Sequence, residues 1–244
     1  MQNTVHFVVQ GKGGIGKSFV SVLLAQYFLS KNANLRAFDT DQENTTFAHY
    51  KALRAEHVAV MDDSRTINPK LFDQLMEKIL LDEDGGTFVI DNGANTFSPL
   101  LAYMVENDII SMLTEAGKKV YLHTIIGGGD AFLETANGFN SIASAFEGTP
   151  VVLWMNAHFG KLETKEGTPF EETRVFKKNY NSLAGIVVLP ERNPRTYGDD
   201  IRRLNIARLT ANEAIQSTEF SLMERNRIKT VIKDVDAQLD KIDF

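Results

Sequence analysis

The segment Gly11–Ser18 constrains the fold of this chain more than any other stretch. Its sequence, Gly-Lys-Gly-Gly-Ile-Gly-Lys-Ser, fits the pattern G-x-x-x-x-G-K-[ST] of a phosphate-binding loop at every position. A short apolar run, residues 5–10, precedes the segment, and apolar residues at helical spacing follow it from Val20 to Phe28. Since such a loop joins a strand to a helix, the sequence predicts a strand, a phosphate-binding loop and a helix in succession.

Each residue type in this loop has a chemical reason. Glycines allow positive φ and close approach, so successive backbone N–H groups can turn toward phosphate oxygens, and the next helix adds its positive end. Lys17 reaches the β- and γ-phosphates, and the Ser18 hydroxyl is a ligand for Mg²⁺. A turn without a ligand would not require lysine and serine there. We expect the nucleotide to contact Gly11, Lys12, Gly13, Gly14, Ile15, Gly16, Lys17 and Ser18.

Aspartates follow two further apolar runs. Residues 35–38 are predicted as a strand that ends in Asp39-Thr40-Asp41, and residues 87–90 as a strand that ends in Asp91. Ligands of open parallel sheets bind beyond the carboxyl ends of strands, so these carboxylates are predicted near the phosphates, with Asp91 holding Mg²⁺ through water. Capping of the following helices is an alternative role for the same side chains, and both roles can hold at once.

Strand and helix patterns alternate along the rest of the chain. Further strands are predicted at residues 57–60, 120–126, 151–155 and 185–190, and the last two deliver Asn156 and Pro190. Alternation of this kind implies right-handed crossovers and an α/β fold with a mostly parallel, twisted sheet covered by helices on both faces. We predict a P-loop domain over residues 1–212, and an amphipathic helical segment over 213–244 that packs on this domain or on a partner.

Composition excludes several classes of protein. The chain has no cysteine, which rules out a thiolate-held iron–sulfur cluster and agrees with a cytoplasmic location. Its net charge of −6 indicates no basic surface as a whole, so nucleic-acid contacts would need a local patch. No apolar stretch approaches the ~18 residues of a membrane span. The acidic end of the tail also argues against membrane binding through that segment.

Lys12, directly after the first glycine, gives the sequence K-G-G-x-G-K-S, which resembles the deviant Walker A motif of the ParA/MinD family of dimerising ATPases. The resemblance implies that ATP and Mg²⁺ close a homodimer in which Lys12 reaches the partner's nucleotide. It implies catalytic roles for Lys12, Lys17 and Asp41, the last orienting the attacking water. In the same way it places Ser18, Asp39 and Asp91 in the magnesium shell and Asn156 and Pro190 beside the adenine.

Two residues depart from the family pattern. Many relatives have proline after the second aspartate of the first switch and within the second switch, whereas this chain has Gln42 and Gly93. A glycine can present its N–H to the γ-phosphate, but it also makes the second switch more pliable. Sensing of the γ-phosphate through this loop is therefore the least constrained part of the resemblance.

The resemblance extends to ATPases of plasmid conjugative transfer, and implies a slow, partner-regulated ATPase whose partners are conjugation and DNA-processing proteins. Arginines crowd the segment Arg192–Arg208, where they could contact DNA without sequence preference, although a solvated helix face with local salt bridges explains them equally well. Two other functions remain open: a small-molecule kinase or ligase of the dethiobiotin synthetase type, and a DNA partition or positioning ATPase.

Overall fold

A parallel sheet forms the centre of the computed structural model, which describes residues 1–64 and 66–244. Within these residues its strands are β1 (Thr4–Val8), β2 (Leu35–Asp39), β3 (Glu56–His57), β4 (Thr87–Asp91), β5 (Lys119–Gly127), β6 (Val151–Asn156) and β7 (Leu183–Leu189). The order across the sheet is β3-β2-β4-β1-β5-β6-β7, and neighbouring strands pair in parallel. The strand that precedes the glycine-rich loop is therefore central.

Helices cover both faces of this sheet. They are α1 (Lys17–Ser30), α2 (Asp73–Leu80), α3 (Phe97–Glu106), α4 (Ile109–Glu115), α5 (Phe132–Ala145), α6 (Arg174–Asn179), α7 (Asp199–Ala207), α8 (Ala211–Gln216) and α9 (Leu222–Leu239). Helices α2 to α6 share one apolar core with the sheet, and α1 and α9 share the other. Alternate residues of β1 enter the two cores, since successive side chains of a strand point to opposite faces. The predicted α/β fold is confirmed.

The strand predicted at residues 57–60 is wrong in its extent. Strand β3 stops at His57, yet Val58 and Val60 are buried in the apolar cores of the molecule. The backbone N–H of Val58 still donates to the carbonyl of Asp39 at 2.9 Å, and the carbonyl of Val60 accepts from Asn68 at 2.9 Å. The apolar residues alternate in this segment because a loop packs them into the core. The alternation therefore reflects burial and not pairing in the sheet.

The segment after α8 lies against the sheet. Helix α9 begins with a capping box, in which Ser221 and Glu224 satisfy each other's backbone N–H groups. Leu239, Ile242 and Phe244 are buried in the core that α1 shares. The predicted boundary at residue 212 falls inside α8, and the division of the chain into two parts stays a prediction. Within the described residues, none of the helices has the length and apolarity that a membrane crossing requires.

Candidate nucleotide-binding site

Strand register brings the predicted site residues to one edge of the sheet. Asp91 is the register partner of Val8 on one side and of Asp39 on the other, so Asp91 lies beside the strand that precedes the loop and Asp39 lies one strand further out. On the far side of β1, Asn156 pairs with Leu189, the last residue of β7. The carboxyl ends of β1, β2, β4, β6 and β7 thus border one space, as expected for an open parallel sheet.

The loop Gly11–Ser18 wraps the start of α1. Gly14 and Gly16 have φ of 70° and 102°, in the left-handed region that favours glycine, so the backbone can curl around a small anion. Helix α1 starts at Lys17, whose buried ammonium donates to the Lys12 carbonyl at 2.9 Å. Burial lowers the pKa of Lys17, and the carboxylates of Asp91 and Asp41 oppose that shift. The loop therefore places one cation and the positive end of a helix at a single point.

Asp91 carries the only carboxylate oxygen, among the buried side-chain atoms that the structure describes, without a hydrogen-bond partner. Its Oδ1 accepts from the Ser21 hydroxyl at 2.8 Å, while Oδ2 accepts nothing. The pKa of Asp91 is raised to about 7, first by burial and then by the charge of Asp39. Hydrogen bonding to the hydroxyl of Ser18, in the first turn of α1, lowers the same pKa, so this hydroxyl lies beside the Asp91 carboxylate. A buried carboxylate with an unsatisfied oxygen beside a hydroxyl suits a Mg²⁺-bound water.

The residues predicted to hold magnesium suit that ion in number as well as in kind. Among the described residues no group of three or more His, Cys, Asp or Glu side chains could hold a metal by itself. Mg²⁺ usually takes one or two carboxylates, keeps several waters and completes its shell with substrate phosphates. The carboxylate of Asp91 and the hydroxyl of Ser18 are such an incomplete set.

Asp39 is bound differently from Asp91, although the two are neighbours in register. Its Oδ1 accepts from the N–H of Asp41 at 3.0 Å, and its Oδ2 from the N–H of Ala48 at 2.9 Å. Burial raises the pKa of Asp39, and these two hydrogen bonds lower it. The side chain thus organises the loop that follows β2, and only its remaining lone pairs are free for the magnesium shell.

Asp41 lies against the loop that follows β4. Its Oδ1 accepts from the N–H groups of Glu43 at 3.0 Å and Asn44 at 3.1 Å, which fixes the turn in which it sits. A Cβ atom at Gly93 would lie 2.9 Å from both Cγ and Oδ1 of Asp41. The glycine that departs from the family pattern therefore has a steric reason, because a side chain there would displace the carboxylate.

Gln42, the other departure, also has a defined place. Its side-chain amide donates to the carbonyls of Thr40 at 3.2 Å and Val58 at 2.9 Å. These hydrogen bonds tie the first switch to the chain that follows β3. A proline at this position could make neither of them.

Asn156 lines a cavity beside the loop, and half of its hydrogen-bonding groups are bound within the protein. Its Nδ2 donates to the carbonyl of Ile15 at 3.2 Å, and its Oδ1 accepts from the N–H of His158 at 3.1 Å. One N–H and one lone pair remain, which is the pair that an adenine edge requires. Asn156 is thus positioned by the loop that it supports.

The cavity itself has a volume of about 550 Å³ and extends from Gly16 along the end of β7 to α7 and α9. Pro190 and Asn156 line it, as do apolar side chains such as Phe19 and Val231. The guanidinium of Arg192 stands 4.9 Å from the ring centroid of Tyr197, and both residues also line the cavity. Its size and largely apolar lining are those of a small-molecule site.

Comparison with known proteins decides the family. A family model described as "CobQ/CobB/MinD/ParA nucleotide binding domain" matches residues 6–242. The chain belongs to this family. It is also 37% identical over 237 residues to Protein TraL of Escherichia coli, which covers 97% of this chain and 97% of that protein. The resemblance to the ParA/MinD family is thereby confirmed.

Solved structures of the family share the fold at low sequence identity. The MinD cell division protein of Aquifex aeolicus superposes with a TM-score of 0.57 and 12% identity, over 99% of this chain and 98% of that one. The septum site-determining protein MinD of Pyrococcus horikoshii OT3, complexed with Mg-ADP, gives a TM-score of 0.52 and 14% identity, over 99% and 100%. At such identities the likeness concerns the fold alone.

Lys12, the residue that distinguishes the ParA/MinD loop, is paired within its own chain. Its Nζ lies 2.9 Å from Oε2 of Glu134 on α5, and 38% and 54% of the two side chains are exposed. An ion pair this exposed is weak, so the lysine can exchange its partner at little cost. Sequence reasoning missed Glu134, because nothing near it in the sequence marks it as a neighbour of the loop.

Two further residues that sequence reasoning missed hold the site together. The amide of Gln10 donates to Thr124 at 3.3 Å and to the carbonyl of Thr135 at 3.2 Å, and its Oε1 accepts from the N–H of Gly11 at 2.9 Å. Asn92 donates to the carbonyl of Val8 at 3.1 Å. Gln10 directly follows an apolar run and precedes the glycine loop, and Asn92 follows the strand-terminal Asp91. These positions beside motifs were the available signal.

The arginines of the segment Arg192–Arg208 are largely paired. Arg192 binds Asp234, Arg202 binds Asp199, and Arg203 lies 2.6 Å from Glu224. Paired guanidinium groups create little net field, so these contacts favour the salt-bridged helix face over a DNA-binding patch. Contact with DNA through the segment Arg192–Arg208 stays a prediction.

Proposed function

We propose that this chain is an ATP-driven switch: ATP with Mg²⁺ closes two copies face to face, and slow hydrolysis of the bound ATP separates them. The observation that carries the proposal is the joint position of three groups at one edge of the sheet. These are the buried ammonium of Lys17, the free oxygen of Asp91 and the glycine loop that surrounds them. A cation, a metal-binding carboxylate and an anion cradle together are the requirements of phosphoryl transfer.

The residues divide by role. The backbone of Gly11–Ser18 and the Lys17 ammonium hold the β- and γ-phosphates. Asp91 and Ser18 hold the magnesium shell, with Asp39 contributing from its free lone pairs. Asp41 orients the attacking water, since its carboxylate lies next to the loop that follows β4. Asn156 and Pro190 take the adenine into the cavity that ends at α7 and α9.

Lys12 makes the enzyme a dimerising switch in this proposal. Its Nζ is bound weakly by Glu134 and stands at the mouth of the loop, from which it can reach a nucleotide held by a second copy. Completion of each site by the other copy would make ATP turnover depend on dimerisation. Slow hydrolysis then follows, because each cycle waits for two copies to meet and a regulatory partner can control that step.

The process served is plasmid conjugative transfer, with conjugation and DNA-processing proteins as partners in the cytoplasm. Support comes from the sequence resemblance and from the 37% identity with a TraL protein over nearly the whole length of both chains. Pull-down of the tagged protein from plasmid-bearing cells, with and without ATP, tests this part. Conjugation proteins retained only with ATP are expected, and recovery of none would contradict the assignment.

Size-exclusion chromatography with light scattering tests the switch. Asp41→Asn keeps the Oδ1 that Glu43 and Asn44 require and removes only the charge, so hydrolysis should stop while ATP still binds. We expect a stable dimer of Asp41→Asn, and of Asp41→Ala, with ATP and Mg²⁺. The exposed Asp63→Ala is the matched control and should behave as the wild-type protein.

Two outcomes would overturn this proposal. If Asp41→Asn binds ATP but stays monomeric at all concentrations, the face-to-face dimer is wrong. If wild-type turnover of ATP appears only after a small carboxylic acid is added, the protein is a ligase or kinase of small molecules.

A further inference from the structure

The side-chain oxygen of Asn95 has no hydrogen-bond partner. Asn95 lies in the loop between β4 and α3, its Oδ1 is inaccessible to solvent, and no donor of the described residues reaches it. Buried acceptors are nearly always satisfied, so one that is not requires an explanation, such as a bound water or a catalytic role. Of the few such atoms in the described part of the chain, Oδ1 of Asn95 and Oδ2 of Asp91 both border the candidate nucleotide site.

Asn95 and Asp41 pack against the same glycine, Gly93. A Cβ atom at Gly93 would lie 2.8 Å from Oδ1 of Asn95 and 2.9 Å from Oδ1 of Asp41. Since a Cβ is one bond from Cα, these distances show that both oxygens contact Gly93 and lie close to each other. A side chain at position 93 would displace one of them, so this arrangement requires glycine.

The loop that carries Asn95 lies against the phosphate-binding loop. A Cβ at Gly13 would contact the Cβ of Ala94 at 3.9 Å, and a Cβ at Gly11 would lie 3.0 Å from the ring of Phe97. The loop after β4 therefore packs on the first half of the glycine loop. A water held by Asn95 and Asp41 would stand beside the anion cradle.

We propose that Asn95 is a further catalytic residue, whose Oδ1 accepts a hydrogen bond from the water that attacks the γ-phosphate. The inference rests on the proposed ATPase function. A carboxamide can orient an attacking water, since glutamine does so in other P-loop NTPases. The amide offers an acceptor to the water and two N–H donors to the phosphate, whereas a carboxylate offers acceptors only.

The hydrolysis step balances with the groups at hand. The water oxygen forms a bond to the γ-phosphorus, and the bond from this phosphorus to the β–γ bridging oxygen breaks, with its electron pair leaving on ADP. One proton of the water passes to Asp41 and from there to the phosphate produced. The other hydrogen of the water is held by Asn95 during the attack, so the oxygen lone pair is directed at phosphorus.

A structural role does not explain Asn95. The turn in which it sits is closed by Thr96, whose hydroxyl donates to the carbonyl of Gly93 at 2.9 Å. Since no donor of the described residues binds Oδ1 of Asn95, replacing this atom removes no hydrogen bond from the folded protein. Stability should therefore not fall when the oxygen is removed, whereas catalysis should.

The test compares Asn95→Ala with the wild-type protein and with Asn107→Ala, an exposed asparagine at the end of α3. We expect kcat for ATP hydrolysis by Asn95→Ala to fall by about 100- to 1000-fold, the range for loss of one positioned hydrogen-bonding group in an active site. Affinity for ATP, measured by calorimetry, should stay within about twofold of the wild-type value, because the interaction forms with the water.

Two further readouts do not measure the hydrolysis rate itself: the melting temperature, which is independent of turnover, and the lifetime of the dimer, which reports on it. The melting temperature of Asn95→Ala without nucleotide should equal or exceed that of the wild-type protein, because a buried unsatisfied acceptor is gone. With ATP and Mg²⁺, its dimer should persist longer on size-exclusion chromatography. Should Asn95→Ala not fold, Asn95→Ser carries the same measurements with a shorter acceptor, and its rate should lie between those of Asn95→Ala and the wild type.

The outcomes separate the two proposals. Wild-type protein without any ATP turnover would overturn the ATPase function itself. Wild-type turnover with equal kcat in Asn95→Ala and Asn107→Ala would overturn only the role of Asn95. A lowered melting temperature together with weakened ATP binding in Asn95→Ala would also overturn it, by showing that the amide holds the loop.

Discussion

Two regions of the molecule bury polar side chains of different kinds. Under α9, on the face of the sheet, His6 Nδ1 and His123 Nε2 lie 3.0 Å apart, and Trp154 donates to His123 Nδ1 at 3.1 Å. At the carboxyl edge, Lys17 and Asp91 are buried too. Each region leaves a polar atom without a partner, Nε2 of His6 on the face and Oδ2 of Asp91 at the edge, so the two regions differ in the charge of their buried groups.

The buried groups of the two regions differ in their charge states. Burial lowers the pKa of His123 to about 3 and that of His6 well below its usual value, so both rings are neutral at pH 7. Trp154 donates to Nδ1 of His123, so the proton of His123 is on Nε2 and is donated to His6. The face therefore holds neutral rings. At the edge, burial also lowers the pKa of Lys17 and raises that of Asp91 to about 7, but the charges of these two groups oppose both shifts. Buried acids and bases with perturbed pKa values that lie in a cleft indicate a ligand site.

Replacement of Lys17 should have the largest effect of the changes considered. It should weaken ATP binding at the edge and leave the histidine region on the face unchanged. Lys17→Ala removes charge-assisted hydrogen bonds to phosphate, each worth about 1.5–3 kcal/mol, so ATP affinity should fall on the order of 100-fold or more. Calorimetric titration with ATP and Mg²⁺ measures this affinity. The exposed Lys165→Ala is the control. Unchanged affinity in Lys17→Ala would place the nucleotide elsewhere.

Removal of the Phe244 ring should affect the face and spare the edge. The ring packs with centroid distances of 5.1 Å from His6 and Tyr121 and 5.4 Å from Phe28. Phe244→Ala should lower the free energy of unfolding by about 3 kcal/mol, as for other buried phenylalanines, with ATP affinity unchanged. Urea denaturation measures the loss, and Leu222→Ala, at 73% exposed, should cost little. A parallel loss of ATP affinity would show that the two regions are coupled.

Acid should destabilise the face through its histidines. Their pKa values are lower in the folded than in the unfolded protein, so below about pH 6.5 the unfolded chain binds more protons and stability falls as pH falls. Each histidine contributes a slope of about 1.4 kcal/mol per pH unit in this range. His6→Phe should remove one such slope, measured by urea denaturation between pH 5 and 7, and the exposed His49→Phe should remove none. Equal slopes in all three proteins would contradict the buried neutral pair.

The sequence predicted the edge better than the face, for a physical reason. Gly11–Ser18, Asp39 and Asp91 follow directly on apolar strands, so local pattern and parallel topology together place them. The contact of Phe244 with His6 joins opposite ends of the sequence, and no local pattern encodes it. The pair of Lys12 and Glu134 was hidden for the same reason. The prediction made strand β3 too long because the buried residues of the following loop alternate with exposed ones, as residues of a strand do.

The smallest effect is expected at Glu134, a residue of α5 that pairs with Lys12 of the loop at the edge. Glu134→Gln removes the charge that holds Lys12 in its own chain, so the lysine should reach a second copy more readily. Exposed ion pairs are worth about 0.2–1 kcal/mol, which predicts ATP-dependent dimers up to about fivefold tighter in sedimentation analysis. The gain should shrink in high salt, where the pair is already screened, and the exposed Glu147→Gln should show no gain. A weaker dimer of Glu134→Gln would mean that this glutamate serves the interface itself and that the contact with Lys12 does not restrain the edge.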